Sequence, residues 1–192
     1  TIMGNNLYFQ ANDGVHGREL WKSDGTEAGT VIVKDIWSGS PSSDAGASGI
    51  TAIGDTIFFE ARDQSNGNEL WKSDGTEEGT VMVKDIRSGS SGSSPIYLAA
   101  VGNTLYFRAT DGIHGYELWK SDGTANGTVM VKDIRPGTES GNPAESTYYL
   151  TAVGNSVFFD ANDGIHGYEL WKSDGTEAGT VMVKDIKSGG SS

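Results

Sequence analysis

Eight residues, Glu-Leu-Trp-Lys-Ser-Asp-Gly-Thr, recur unchanged four times in this chain, at 19–26, 69–76, 117–124 and 169–176. Aligning the chain on itself puts the repeat starts at Thr1, Thr51, Ala99 and Thr151, spacings of 50, 48 and 52 residues. A unit of that size cannot bury its own apolar face and must stack on a like neighbour, which confines the fold to repeat architectures. The chain is therefore read as one repeat domain, 1–192, with repeats 1–50, 51–98, 99–150 and 151–192, the last one truncated.

Within the third repeat, Ile96–Val101 and Thr104–Thr110 read as strands joined by Gly102-Asn103, a pair suited to a tight hairpin. The turn-rich stretch 111–115 follows, and then two more strands, Tyr116–Ser121 and 128–134, around the turn 122–127. Each repeat is then a four-stranded antiparallel meander. Leu105-Tyr106-Phe107 and Val129-Met130-Val131 are apolar without alternation, as expected of strands sandwiched between like sheets. The last strand ends in the more polar Lys132-Asp133-Ile134. That gradient, from apolar inner strands to a polar outer one, predicts an all-β fold, a β-propeller of four-stranded antiparallel blades. The helical period of about 3.6 residues, which a helical solenoid would need, is missing throughout.

Charge and cysteine content narrow the function. With 26 acidic and 14 basic residues the formal charge is −12, which opposes nucleic-acid binding and anionic membrane surfaces. The absence of cysteine removes disulfides, zinc-thiolate sites and a cysteine nucleophile. No apolar run approaches the about 18 residues of a membrane-spanning helix, so no membrane insertion is expected, and Thr1-Ile2-Met3-Gly4 does not read as a signal peptide.

The fourfold ELWKSDGT block resembles the bacterial ELWxxDGT repeat family over essentially the whole chain. That resemblance implies a β-propeller at the cell surface or outside the cell, with no assigned activity. The turn Ser-Asp-Gly-Thr is also similar, with a shifted order, to the Asp-box of sialidase-like propellers, which joins the third and fourth strands of a blade. Its residues are Ser23, Asp24, Gly25 and Thr26; Ser73, Asp74, Gly75 and Thr76; Ser121, Asp122, Gly123 and Thr124; and Ser173, Asp174, Gly175 and Thr176. Asp accepts from the amides of its own turn, Gly takes positive φ and Thr ties the turn by its hydroxyl, so the block is read as structural.

Trp21, Trp71, Trp119 and Trp171 occupy one strand position. They are read as inter-blade packing, each indole N–H finding a backbone acceptor, with a sugar-binding groove as the alternative. The loops 12–17, 110–115 and 162–167 each bring an Asp and a His together, whereas 62–67 lacks the histidine. A one-His-per-blade transition-metal site would be incomplete. Asp13, Asp63, Asp111 and Asp163 are the calcium candidates, since hard cations take about six to eight oxygens from such acidic Gly-rich loops. None matches an EF-hand or nonapeptide calcium loop. The reading is that no cofactor is required, with calcium as the alternative.

Arg18, Arg62, Arg87, Arg108 and Arg135 are dispersed over different repeat positions, and no nucleophile elbow, His-Glu-x-x-His or phosphate loop occurs. The chain is read as non-enzymatic. The repeats differ most in the connections 37–50, 87–98 and 135–150, where Trp37, Tyr97, Tyr148 and Tyr149 are the candidate ligand-contacting aromatics. The expected function is a non-catalytic scaffold for a protein or glycan partner; a structural array is the alternative, and an Asp-box hydrolase a third. Because Thr1 falls inside the first strand of its repeat, further repeats or self-association with another copy are expected to complete the ring.

Overall fold

The computed structural model describes residues 1–137 and 150–186. Its regular structure consists of four four-stranded antiparallel sheets, each with its strands in chain order, and no helix occurs among the described residues. The first sheet holds β1 (Ile2–Met3), β2 (Asn6–Asn12), β3 (Arg18–Ser23) and β4 (Val31–Lys34). The second holds β5 (Ile50–Ile53), β6 (Thr56–Ala61), β7 (Glu69–Ser73) and β8 (Val81–Lys84). The third holds β9 (Ile96–Val101), β10 (Thr104–Thr110), β11 (Tyr116–Ser121) and β12 (Val129–Lys132). The fourth holds β13 (Thr151–Val153), β14 (Ser156–Asn162), β15 (Tyr168–Ser173) and β16 (Val181–Lys184).

The register is the same in every repeat. Phe9, Phe59, Phe107 and Phe159 stand opposite Trp21, Trp71, Trp119 and Trp171. Each first hairpin closes through a two-residue connection whose leading glycine takes positive φ, 57° at Gly102, a conformation open to Gly without steric cost. The third and fourth strands slip register beside each tryptophan, where Leu118 pairs with Lys132 but Trp119 with Met130. The outer strand is shorter than the sequence suggests, ending at Lys132 rather than residue 134. The reason is local: the Ile134 amide donates to the Glu117 carboxylate and so leaves the ladder.

Two compact units follow one another, Thr1–Leu98 and Ala99–Ser192. Within each, one face of the leading sheet packs on the opposite face of the next. In the first unit Tyr8, Leu20, Val33 and Ile36 meet Ile57, Phe59, Ala61 and Trp71. In the second, Tyr106, Leu118, Val131 and Ile134 meet Val157, Phe159, Ala161 and Trp171. Each sheet therefore carries two chemically different faces, a Leu-Val-Ile face and a Phe-Ala-Trp face. Complete burial of each such side chain contributes about 1.5–3 kcal/mol.

Candidate ligand face at the sheet connections

The polar residues of the repeated block are occupied by its own turn. Asp24 Oδ1 accepts from the Thr26 amide at 2.9 Å and the Thr26 hydroxyl at 2.7 Å, and Thr26 Oγ1 in turn accepts from the Gly29 amide. The Thr30 hydroxyl donates to the Thr26 carbonyl at 2.6 Å, leaving Ser23 to donate to Thr30 and accept from Gly25. Asp74 with Thr76, Asp122 with Thr124 and Asp174 with Thr176 repeat the arrangement. The threonine hydrogen bonds hold the carboxyls of Asp24, Asp74 and Asp174 below the usual range. Gly75 and Gly175 take φ of 89° and 88° and lie against the Tyr8 and Tyr106 hydroxyls, where a Cβ would collide.

The leading glutamate of the block, which the sequence pattern does not mark as special, turns out to be a clasp. Glu69 is fully buried and accepts from the amides of Ile86, Arg87 and Ser93 and from the Ser93 hydroxyl, the last at 2.6 Å. Glu19 does the same with Ile36 and Ser43. Burial pushes both carboxyls up, and these hydrogen bonds pull them back down only in part. Glu117 and Glu169 accept from Ile134 and Ile186. The recurrence of serine 24 residues after both Glu19 and Glu69 is the signal in the sequence that points to this clasp.

Lysines join one sheet to the next. Lys22 Nζ donates to the Gly75 carbonyl at 2.8 Å and Lys34 Nζ to that of Thr80 at 2.9 Å. In the second unit Lys120 reaches Gly175 at 2.7 Å and Lys132 reaches Thr180 at 2.9 Å. Trp71 and Trp171 are core residues of their units, Trp119 is buried and Trp21 is half-buried. The expected backbone acceptor for the indole N–H is corrected: all four Nε1 atoms are buried without a hydrogen-bond partner. The slip of register beside each tryptophan accompanies this.

The Asp-His loops are self-contained. Asp13 Oδ1 accepts from the amides of Val15 and His16, and Oδ2 faces His16 Nδ1 at 2.6 Å; Asp111 with His114 and Asp163 with His166 match it. In the second repeat Asn66 replaces histidine and its side-chain amide donates to both oxygens of Asp63, each at 3.0 Å. The four aspartates thus spend their oxygens on their own loops. Among the described residues no group of three or more His, Asp or Glu side chains is arranged to hold a metal.

Each aspartate hydrogen bond raises its partner histidine above the ordinary 6.5. The imidazolium therefore stabilises its loop fully below about pH 6.5, and this contribution disappears as pH rises through the raised folded-state value. NMR titration is expected to give midpoints above 6.5 for His16, His114 and His166. Asp13→Asn should return His16 alone toward 6.5; an unmoved His16 would refute the pairing.

The residues that differ between repeats gather where the connections fold over these loops. The Arg18 amide donates to Ser42 Oγ at 2.9 Å, and the Asp44 amide donates to the Arg18 carbonyl at 3.1 Å. Arg62 Nη2 then pairs with Asp44 Oδ2 at 2.7 Å, its Nε donates to the Ser42 carbonyl, and its guanidinium lies 5.3 Å from the Trp37 ring centroid. Arg18 Nη1 stands 3.7 Å from the other Asp44 oxygen. Trp37 and Arg62 are half-buried, and Arg18 is exposed. The result is an aromatic ring, two guanidinium groups and a carboxylate at one connection, with hydrogen-bonding edges left toward solvent. Of the other candidate aromatics, Tyr97 lies in β9 at φ 58°, half-buried, while Tyr148 and Tyr149 fall outside the described residues. In the second unit Arg108 is buried with its guanidinium 3.8 Å from the Tyr116 ring centroid. Gln10, Glu60 and Asp160 stand at the matching strand position.

No protein-family model matches the chain, and no curated protein matches it in sequence. Solved structures do. A puromycin hydrolase mutant aligns with a TM-score of 0.61 and 16% identity, over 93% of this chain and 27% of that one. TolB from Acinetobacter baumannii aligns with a TM-score of 0.52 and 12% identity, over 88% of this chain and 38% of that one. At such identities the likeness is one of fold. The chain spans well under half the length of either protein.

Proposed function

We propose that this chain is an extracellular or surface β-propeller scaffold of the ELWxxDGT type, non-catalytic, that binds a protein or glycan through its blade connections. The observation that carries the reading is the division of labour among polar groups. Most of those in the repeated block are engaged in its own turn, in the clasp and in sheet-to-sheet contacts, whereas Trp37 and Asp44 of one connection meet Arg18 at the start of β3 and Arg62 in the loop after β6, and these four face solvent in part. An aromatic face beside guanidinium and carboxylate groups suits a sugar ring or a polar peptide surface. Four sheets of one design, and a fold shared with solved structures that include propellers, support the architecture. On this reading the chain is non-catalytic and the scaffold requires no cofactor.

The test is an immobilised glycan array probed with the 192-residue chain, with and without chelator. Saturable binding is expected, insensitive to chelator and weakened at least about tenfold by Trp37→Ala and by Arg62→Ala, each a loss of roughly 1.4 kcal/mol or more. Loss of binding with chelator would instead place calcium at Asp13, Asp63, Asp111 or Asp163. A structural array is the second reading, favoured by the open faces of the first and fourth sheets; ordered polymers without glycan binding would select it.

A further inference from the structure

We propose that the chain associates head to tail: the Leu-Val-Ile face of its fourth sheet takes the Phe-Ala-Trp face of the first sheet of a second copy. The contact reproduces the packing of sheet on sheet inside each unit, and it rests on these faces alone, independent of the ligand reading above. Inside the chain the template is explicit. Leu20, Val33 and Ile36 are 0%, 6% and 8% exposed beneath the second sheet, and Lys22 and Lys34 reach the carbonyls of Gly75 and Thr80. The second unit repeats the contact with Leu118, Lys120 and Lys132.

The corresponding residues of the fourth sheet are uncovered. Leu170, Val183 and Ile186 are 40%, 46% and 70% exposed. Lys172 and Lys184, the counterparts of Lys22 and Lys34, are exposed and have no carbonyl acceptor among the described residues. The first sheet lacks the other half. Leu7 is 48% exposed where its counterparts Ile57, Leu105 and Val157 are fully buried, and Gly25 and Thr30, counterparts of the carbonyls that receive lysine, are exposed.

The chemistry fixes the orientation. Two fourth-sheet faces brought together would set four lysines against one another with no carbonyls to receive them, so an isologous dimer is disfavoured. The heterologous contact instead brings Lys172 and Lys184 to a turn carrying Asp24 and Glu27, as Lys22 already lies near Asp74. Such a contact closes into a ring of fixed mass if its rotation permits, and otherwise grows as a filament.

Sedimentation equilibrium across a dilution series tests this with two surface variants whose folding is checked by circular dichroism. The wild-type chain is expected to exceed its 20.3 kDa mass, as a ring of constant size or a fibre that grows with concentration. Leu170→Glu and Leu7→Glu change residues exposed in the single chain, and each alone is expected to sediment at 20.3 kDa. Mixed in equal amounts they should form a one-to-one complex of twice that mass and no larger, since one variant retains the intact fourth sheet and the other the intact first sheet. Lys184→Glu should weaken assembly as Leu170→Glu does. A wild-type chain that stays at 20.3 kDa, a single variant that keeps the wild-type mass, or a mixture that remains monomeric would each overturn the proposal.

Discussion

Trp71→Ala is expected to destabilise the first unit by about 3–5 kcal/mol, read as a fall in the midpoint of urea or thermal unfolding. The indole is nearly fully buried in a cluster with Phe59, Ala61, Leu20 and Val33, drawn from two sheets, so its removal opens a cavity that neither sheet can collapse to fill. Trp21→Ala provides the internal control. The same residue, in the same register, is only half-buried in the first sheet, and its loss should cost markedly less. Trp71→Phe separates packing from polarity. Because Nε1 is buried without an acceptor, phenylalanine keeps much of the contact area and removes an unpaired donor whose desolvation costs about 1–3 kcal/mol. The Phe variant should therefore stay within about 1.5 kcal/mol of wild type. Equal losses for Phe and Ala would mean that the indole N–H is engaged after all.

Removing the clasp should be nearly as damaging. In Glu69→Ala three amides and the Ser93 hydroxyl lose their acceptor at a fully buried position, and the expected cost is about 3–4 kcal/mol. Ser93→Ala removes one of the four hydrogen bonds and should cost about 1–1.5 kcal/mol. The double variant should be only slightly worse than Glu69→Ala, because the serine hydroxyl has nothing left to bind once the carboxylate is gone. Additive losses in that cycle would show that the two side chains act separately. Since the clasp holds the start and the middle of the connection to β7, hydrogen exchange in 86–94 should accelerate more than in β6.

These two residues mark the limit of what repeat periodicity conveys. Trp71 and Glu69 lie two positions apart in the same strand and recur equally often, yet one is a packing group and the other the acceptor for a distant loop. The aromatic character of tryptophan makes its burial legible from the sequence. A glutamate in an exposed-looking polar block carries no such mark of its own; the serine 24 residues further on is the one hint in the sequence, and the return of residues 86 and 93 to its side chain reveals the role. The histidine loops lie between these cases. Asp and His three residues apart predict a local hydrogen bond, and the substitution of Asn66 in one repeat shows that an amide serves the same geometry.

By itself, the sequence determined the repeat, the all-β class, the strands of each sheet and their turns, because these depend on short-range signals: apolar runs, glycine at positive φ, and Asp or Thr beside their own backbone. Tertiary structure alone decided which groups meet across sheets and connections. Lys22 and Gly75 are 53 residues apart, and the Arg62–Asp44 pair beside Trp37 bridges a connection and the following loop. Contacts of that kind follow from how one sheet is set on the next, and a period of about 50 residues fixes the number of sheets without fixing their alignment. The ELWKSDGT block shows both sides. Its turn could be read directly, whereas its glutamate and lysine found their partners only after the sheets had stacked.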